Sequence, residues 1–190
     1  MIEYEVKLPR VDIEDMRARL RTAGAACSKP SFVYRNSVFN LPLERRIENS
    51  WLRVRDEGDK VTMSLKIMGD RIDQQHEYCF TASSVEEGEK FLKLLGADEK
   101  ARQEKRREVW LLDGCEVTID EWPFLEPLAE VEGESELSVM QTVALLGFQP
   151  EECRVCAAGT LYAEKYGVTE DQVNNHMPLL IFDMPNPFVE

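Results

Sequence analysis

A chain of 190 residues that is 43% hydrophobic and 31% charged can bury one core, removing roughly 70% of its unfolded surface from water. Its net charge of −13 and pI near 4.7 give a field that repels nucleic acid and anionic membrane, so an anionic ligand has to be caught by locally arranged cations. No apolar run approaches the roughly 20 residues of a membrane span, the N-terminus lacks the regions of a signal peptide, and Cys27, Cys79, Cys115, Cys153 and Cys156 form an odd set; together these read as a cytoplasmic protein with reduced thiols.

The first strand candidate, EYEVKL, alternates Glu3, Glu5 and Lys7 against Tyr4, Val6 and Leu8, because successive side chains of a strand point to opposite faces. At about 7 Å between i and i+2, an effective dielectric of roughly 20 gives about 2 kcal/mol of repulsion between the two carboxylates. The fold has to offset it. DIEDMRARLRTAG then opens a helix at Asp12, spaces Ile13, Met16 and Leu20 along one side and closes at Gly24. SVFNL, WLRVRD and VTMSLKI follow as strands, the last two joined by the turn RDEGDKVT, and QHEYCFT is another. A second helix has Ser84 as N-cap, Glu87 completing a capping box, and Gly96 at its end.

KRREVWLL, EVTIDEW and LAEVEG are the remaining strands. A third helix starts at Ser135 or Ser138 and stops at Gly147. CRVC, with Cys153 and Cys156, has ligand-like spacing but no second pair, so it reads as structural thiols. TLYAEKYG gives a shorter helix between Thr160 and Gly167, TEDQVNNHM adds a turn or two, and the closing stretch with Pro178, Pro185 and Pro187 reads as an irregular tail. Strands in short connections, with helices interposed rather than strictly alternating, predict an α+β fold on an antiparallel sheet or barrel, not a doubly wound parallel sheet.

The period-two test applied to every strand gives charged faces repeatedly. Arg53 and Arg55 share a face, as do Lys105 and Arg107; Lys66 lies with Ser64 and Thr62; Asp120 lies with Thr118 and Glu116; Glu130 and Glu132 flank Val131; QHEYCF adds Glu77. One strand of this kind is an ordinary wet face. Several strands with paired like charges require the acidic strands to meet cations and the basic ones anions. Salt bridges between strands supply part of this. Bound divalent metal and a phosphate chain supply it more fully, since hard cations take carboxylate oxygens and polyphosphates take Lys and Arg.

The ordered set E-x-E-x-K (Glu3, Glu5, Lys7), R-x-R (Arg53, Arg55), L-K (Leu65, Lys66), K-x-R (Lys105, Arg107), an Asp ending an apolar strand (Asp120) and a late E-x-E (Glu130, Glu132) resembles the CYTH superfamily, the triphosphate tunnel metalloenzymes, which include class IV adenylyl cyclases and thiamine triphosphatase-like proteins. The resemblance spans about residues 1–166. It implies an eight-stranded antiparallel β-barrel forming a tunnel flanked by helices, with a tunnel domain over 1–167 and a C-terminal extension over 168–190. It further implies that Lys7, Arg53, Arg55, Lys66, Lys105 and Arg107 bind a triphosphate, that Glu3, Glu5, Asp120, Glu130 and Glu132 hold Mg²⁺ or Mn²⁺, that Glu77 orients basic neighbours, and that Lys7, Glu5 and Glu130 take the catalytic positions. NSVFN departs from the family pattern by placing Val38 where a tyrosine is frequent, and QHEYC keeps only Glu77 of a common R-x-E-x-E, with Gln75 and Cys79 at its flanks. His76 alternates to the other face. Lys165 falls on the late helix that members place over one tunnel mouth, and WPFLEP (Trp122 to Pro127) is an aromatic candidate for lining a mouth.

The resemblance implies a metal-dependent triphosphatase acting on inorganic triphosphate, thiamine triphosphate or a nucleoside triphosphate. A class IV adenylyl cyclase, expelling pyrophosphate from ATP, is the alternative; that group carries a His-Phe shortly before E-x-E-x-K, for which there is no room here. A non-catalytic polyphosphate-binding module is the second alternative, and its expected signature, loss of core carboxylates, is absent. The expected partner is a small molecule with a triphosphate group, with no nucleic acid or membrane, and the fold admits a homodimer.

Overall fold

The structure, a computed structural model, describes residues 2–189. In chain order the elements are β1 (Tyr4–Pro9), α1 (Ile13–Thr22), β2 (Ala26–Asn40), β3 (Ser50–Asp56), β4 (Val61–Ile67), β5 (His76–Ala82), α2 (Val85–Leu94), β6 (Asp98–Leu112), β7 (Cys115–Glu121), β8 (Leu128–Gly133), α3 (Glu136–Leu145), α4 (Ala158–Tyr166), α5 (Glu170–His176) and β9 (Leu179–Leu180). The helices start where short polar side chains can satisfy their first N–H groups. The Asp12 carboxylate accepts from the Asp15 N–H at 2.8 Å and the Ser84 hydroxyl from the Glu87 N–H at 3.1 Å. Of the two serines proposed to open α3, Ser135 is the cap and Ser138 answers it reciprocally.

Eight strands form one antiparallel sheet in the order β1-β8-β7-β6-β2-β3-β4-β5, and β9 adds to β6 in parallel. The sheet curls until its two end strands meet: Ile2 and His76 form an antiparallel bridge, and the Glu3 N–H donates to the Gln75 carbonyl at 2.9 Å. This is the α+β barrel architecture expected from the strand pattern. β2 and β6 run to 15 residues each, well beyond the predicted SVFNL and KRREVWLL. Their added halves are polar, and Pro30 sits where the β2–β6 register shifts between Lys29 and Phe32, so its missing N–H breaks no regular ladder.

The apolar face of the barrel is its outside. Val6, Leu8, Trp110, Val117, Ile119 and Val131 pack under Met16 and Leu20 of α1 and Val139 and Val143 of α3. Phe39, Val54 and Met63 pack under Leu92 of α2. One buried acid on this outer side, Glu108, ties α1 to the sheet by accepting from Arg17 Nη2 at 2.7 Å and Trp110 Nε1 at 2.6 Å. With the apolar side chains committed outward, period two sends Glu3, Glu5, Lys7 and their counterparts into the barrel.

Beyond β9 the described residues of the closing segment form no helix or strand, as its prolines suggest, but the segment is packed against the rest of the fold. Tyr162, Val173 and Leu180 form a third cluster with Trp122, Phe124 and Phe188, and the Phe188 ring stacks on Tyr162 and Tyr166 at 5.2 and 4.6 Å between centroids. The Arg102 N–H donates to the Pro178 carbonyl at 2.9 Å. No helix among the described residues is long and apolar enough to cross a membrane.

Gly133 ends β8 against α3, where a Cβ would lie 2.7 Å from Cys115 Sγ and 2.9 Å from Ser138 Oγ. Because Cys115 is fully buried, Gly133→Ala is expected to lower the unfolding free energy by about 1–3 kcal/mol. Urea denaturation checks this, and an unchanged midpoint would mean that α3 moves aside freely.

Candidate functional site

The barrel encloses a cavity of ≈ 1560 Å³. All six cations assigned to triphosphate binding, Lys7, Arg53, Arg55, Lys66, Lys105 and Arg107, line it, as do Glu3, Glu5, Glu77, Glu130 and Glu132. Strand register brings a cluster of carboxylates, a set of ion pairs and a less neutralised basic wall together in it.

At one end Glu5 of β1 lies opposite Glu132 of β8, and one carboxylate oxygen each from Glu3, Glu5 and Glu132 lie within 4.8 Å of one another. Burial, resisted by Lys66 and aided by Glu5, raises the Glu3 carboxyl to about 8. Burial and the Glu5 charge raise Glu132 to about 7. Burial also works against ionisation of Glu5, but Lys66 and Lys7 outweigh it and hold that carboxyl below its ordinary value. Three hard oxygen donors this close, two of them resisting ionisation without a counter-charge, fit a divalent cation of the Mg²⁺ or Mn²⁺ type.

The next layer is ion-paired. Lys7 contacts Glu5 and bonds Glu130 Oε1 at 2.9 Å, while Lys66 Nζ lies 2.7 Å from Glu3 Oε2 and 3.2 Å from Glu5 Oε2. Arg107 bridges Glu130 and Asp120, its Nε donating to Asp120 Oδ1 at 2.7 Å, and Lys105 Nζ donates to Asp120 Oδ2 at 2.8 Å. Burial opposes the charge on Lys7, yet Glu130 and Glu5 more than compensate, so its ammonium is held protonated well above the ordinary range. Glu77 accepts from Arg53 Nη2 at 2.8 Å. Asp120 and Glu130, which the resemblance places among the metal ligands, are paired here with Lys105, Arg107 and Lys7 and lie outside the Glu3, Glu5 and Glu132 cluster; Asp120 is 0% exposed.

Beyond that layer cations predominate. Burial, Arg53 and Arg107 push Arg55 down to about 10, and its nearest acid, Glu57, is 3.8 Å away. Burial and Arg107 push Lys105 down to about 7 despite Asp120. Asn36 Oδ1, Arg55 Nε and Trp122 Nε1 are buried on this wall with no protein hydrogen-bond partner among the described residues. The under-neutralised cations and the two unsatisfied donors, Arg55 Nε and Trp122 Nε1, fit an anion at this end of the cavity, whereas Asn36 Oδ1 calls for a donor.

Tyr34 was not among the residues singled out in the sequence. Its ring lies 5.4 to 5.6 Å from Arg55, Lys105 and Arg107, where the π-face attenuates the repulsion between them. Two-residue spacing from Asn36 would have found it, had β2 been extended N-terminally past Ser37. Glu57 was missed because it follows the end of β3. Val38 lines the cavity in the place where family members often have tyrosine. Trp122 lines it too, with Lys105 5.3 Å over its ring, while Phe124 and Leu125 pack outside. Lys165 pairs with Glu126 at 2.8 Å beside a smaller surface cavity, and His76 serves the seam bridge. Cys156 lines the main cavity, and both CRVC thiols are free.

Residues 1–152 match the CYTH domain family model, and the chain belongs to that family. No curated protein sequence matches it. Among solved structures, a conserved hypothetical protein from Pyrococcus furiosus aligns with TM-score 0.70 and 20% identity over 84% of this chain and 99% of that one. A candidate adenylate cyclase from Vibrio parahaemolyticus gives TM-score 0.71 and 10% identity, covering 86% and 98%. A candidate adenylyl cyclase from Hippeastrum, described as having a dominant triphosphatase activity, gives 0.56 and 15%, covering 88% and 97%. At these identities the likeness is one of fold.

The raised Glu132 pKa has a consequence for stability. Between about pH 4.3 and about 7 the folded state keeps a proton on Glu132 that the unfolded state has lost, and the stabilisation this proton gives disappears as pH rises through 7. Glu132→Gln mimics the protonated form permanently. Without metal, variant and wild type are expected to be about equally stable at pH 4, with the variant the more stable at pH 8.5. Denaturation at the two pH values measures this; equal stability at both would show that Glu132 is not strained by its neighbours.

Proposed function

We propose that this chain is a divalent-metal-dependent triphosphatase whose substrate is a small molecule carrying a triphosphate group. The observation that carries the reading is the pairing of an acidic cluster with an under-neutralised basic wall in one cavity: Glu3, Glu5 and Glu132 converge, while Arg55 has no acid among the described residues nearer than 3.8 Å and Lys105 shares Asp120 with Arg107. A triphosphate supplies the missing anion to the basic wall, and Mg²⁺ or Mn²⁺ held by the carboxylates neutralises charge on phosphate oxygens. The net charge of −13 disfavours RNA or DNA as the substrate.

The residues divide the work by their protonation. Arg53 and Arg55, adjacent on one face of β3, present guanidinium groups suited to fork-like contacts with phosphoryl oxygens. Lys7, kept charged by Glu130 and Glu5, acts as a fixed positive charge facing the transferred phosphoryl and not as a base. Glu130 holds Lys7 and Arg107 in register with each other. Asp120 fixes Arg107 and Lys105 from beneath the cavity wall.

Product analysis with inorganic triphosphate, ATP and thiamine triphosphate, each with Mg²⁺ or Mn²⁺, tests the reading. Orthophosphate release without cyclic AMP is expected; cyclic AMP with pyrophosphate would make the protein a cyclase, and tight binding without turnover a polyphosphate-binding module. Arg55→Ala removes charge-assisted bonds worth roughly 1.5–3 kcal/mol, so inorganic triphosphate should bind about 10- to 100-fold more weakly while orthophosphate binding changes little. Equal losses for both ligands would assign Arg55 to structure instead.

A further inference from the structure

β1 carries Glu3, Glu5 and Lys7, yet it is an end strand of the sheet, paired by a ladder only to β8. In an antiparallel strand alternate residues direct their backbone N–H and C=O to opposite edges. Because the Glu3 N–H is turned toward β5, the backbone groups of Glu3, Glu5 and Lys7 all face the seam, where no continuous strand meets them. Two residues outside the ladders take those positions. Gln75 accepts from the Glu3 N–H through its carbonyl at 2.9 Å and donates from its side-chain Nε2 to the Glu5 carbonyl at 2.8 Å. Arg154 exchanges two backbone hydrogen bonds with Lys7, both 2.8 Å.

Gln75 is 1% exposed, and its hydrogen bonds place it at the seam between β5 and β1. We propose that Gln75 is a positioning residue for the metal site: its amide latches the barrel seam and fixes the backbone of Glu5, and with it the spacing of Glu5 from Glu3 and Glu132. A buried carbonyl at an otherwise open sheet edge has few alternative donors, so losing the amide frees the strand to shift by more than closely spaced carboxylate ligands tolerate. The argument rests on the metal reading above.

Gln75→Met keeps the length and most of the packing of the side chain and removes its amide. Titration of the purified full-length chain with Mn²⁺, followed by the electron paramagnetic resonance of free ion, is expected to show roughly tenfold weaker binding in the variant, while metal-free binding of inorganic triphosphate by the basic wall around Arg55 and Lys105 stays within about twofold. Unchanged Mn²⁺ affinity overturns the latch, as does a parallel loss of both ligands, which would mean general loosening. Wild-type protein that binds no Mn²⁺ overturns the metal reading and the latch together. Should Gln75→Met fail to fold, amide exchange of the wild type decides the question: Mg²⁺ should slow exchange at Glu3 and Lys7, because an ion that needs the strand clamped also clamps it. Protection that changes elsewhere but not at these two amides overturns the proposal.

Discussion

The structure depends on one constraint, the enclosure of like charges on the inner face of a closed sheet. An open antiparallel sheet gives such a face to water, where high dielectric and mobile ions make paired carboxylates or paired guanidinium groups inexpensive. Here the apolar faces of β1, β7 and β8 are covered by α1 and α3, and that of β3 by α2, so the charged faces have only one another. The result is the ion-pair layer of Lys7, Lys66 and Arg107 with Glu3, Glu5, Glu130 and Asp120. Buried pairs of this kind contribute little net stability after desolvation, whereas removing one partner is strongly destabilising. They set the orientation of the barrel interior more than they hold the protein together.

Much of the site was legible because strand periodicity is rigid: once Val6 and Leu8 must face a core, Glu5 and Lys7 must face away from it. All six cations assigned in this way reach one cavity. Periodicity assigns a face but not a depth or a partner, and that is where the reading ran out. Asp120 shares its face with Glu116, yet the antiparallel register sets it opposite Arg107, and pairing with that guanidinium takes it off the cavity wall. Tyr34 and the long arms of β2 and β6 were obscured for a different reason, since their polar and proline-containing segments lack the alternation that a half-buried strand shows. They are strands because each is the other's partner, a tertiary cause that no local window contains.

The segment after α3 shows how a motif can carry structural information of a kind its spacing does not suggest. CRVC has ligand-like spacing without a second pair and reads as structural thiols. In the fold its important position is the backbone of Arg154, which closes the seam beside Lys7, while the guanidinium reaches Glu164 on α4 at 2.6 Å. One residue thereby ties the E-x-E-x-K strand to the helical segment whose Tyr162 and Val173 help wall the cavity. Together with Gln75 it finishes a barrel whose sheet hydrogen bonds alone would leave one side open.

The gradient of charge along the cavity also suggests why its two ends should act together. At the acidic end protons are retained on Glu3 and Glu132 up to pH 8 and 7, and at the basic end Lys105 and Arg55 release theirs early, near 7 and 10. Both departures reduce the charge that the protein must enclose, so both express the same unfavourable self-energy. On the proposed reading, a cation at the carboxylates allows Glu3 and Glu132 to ionise, and an anion on the arginine wall allows Lys105 to stay protonated. Each ligand also meets the opposite charge of the other across the interior, where screening is weak. Binding of either should therefore tighten binding of the other, and the reciprocity of linkage makes the two enhancements equal.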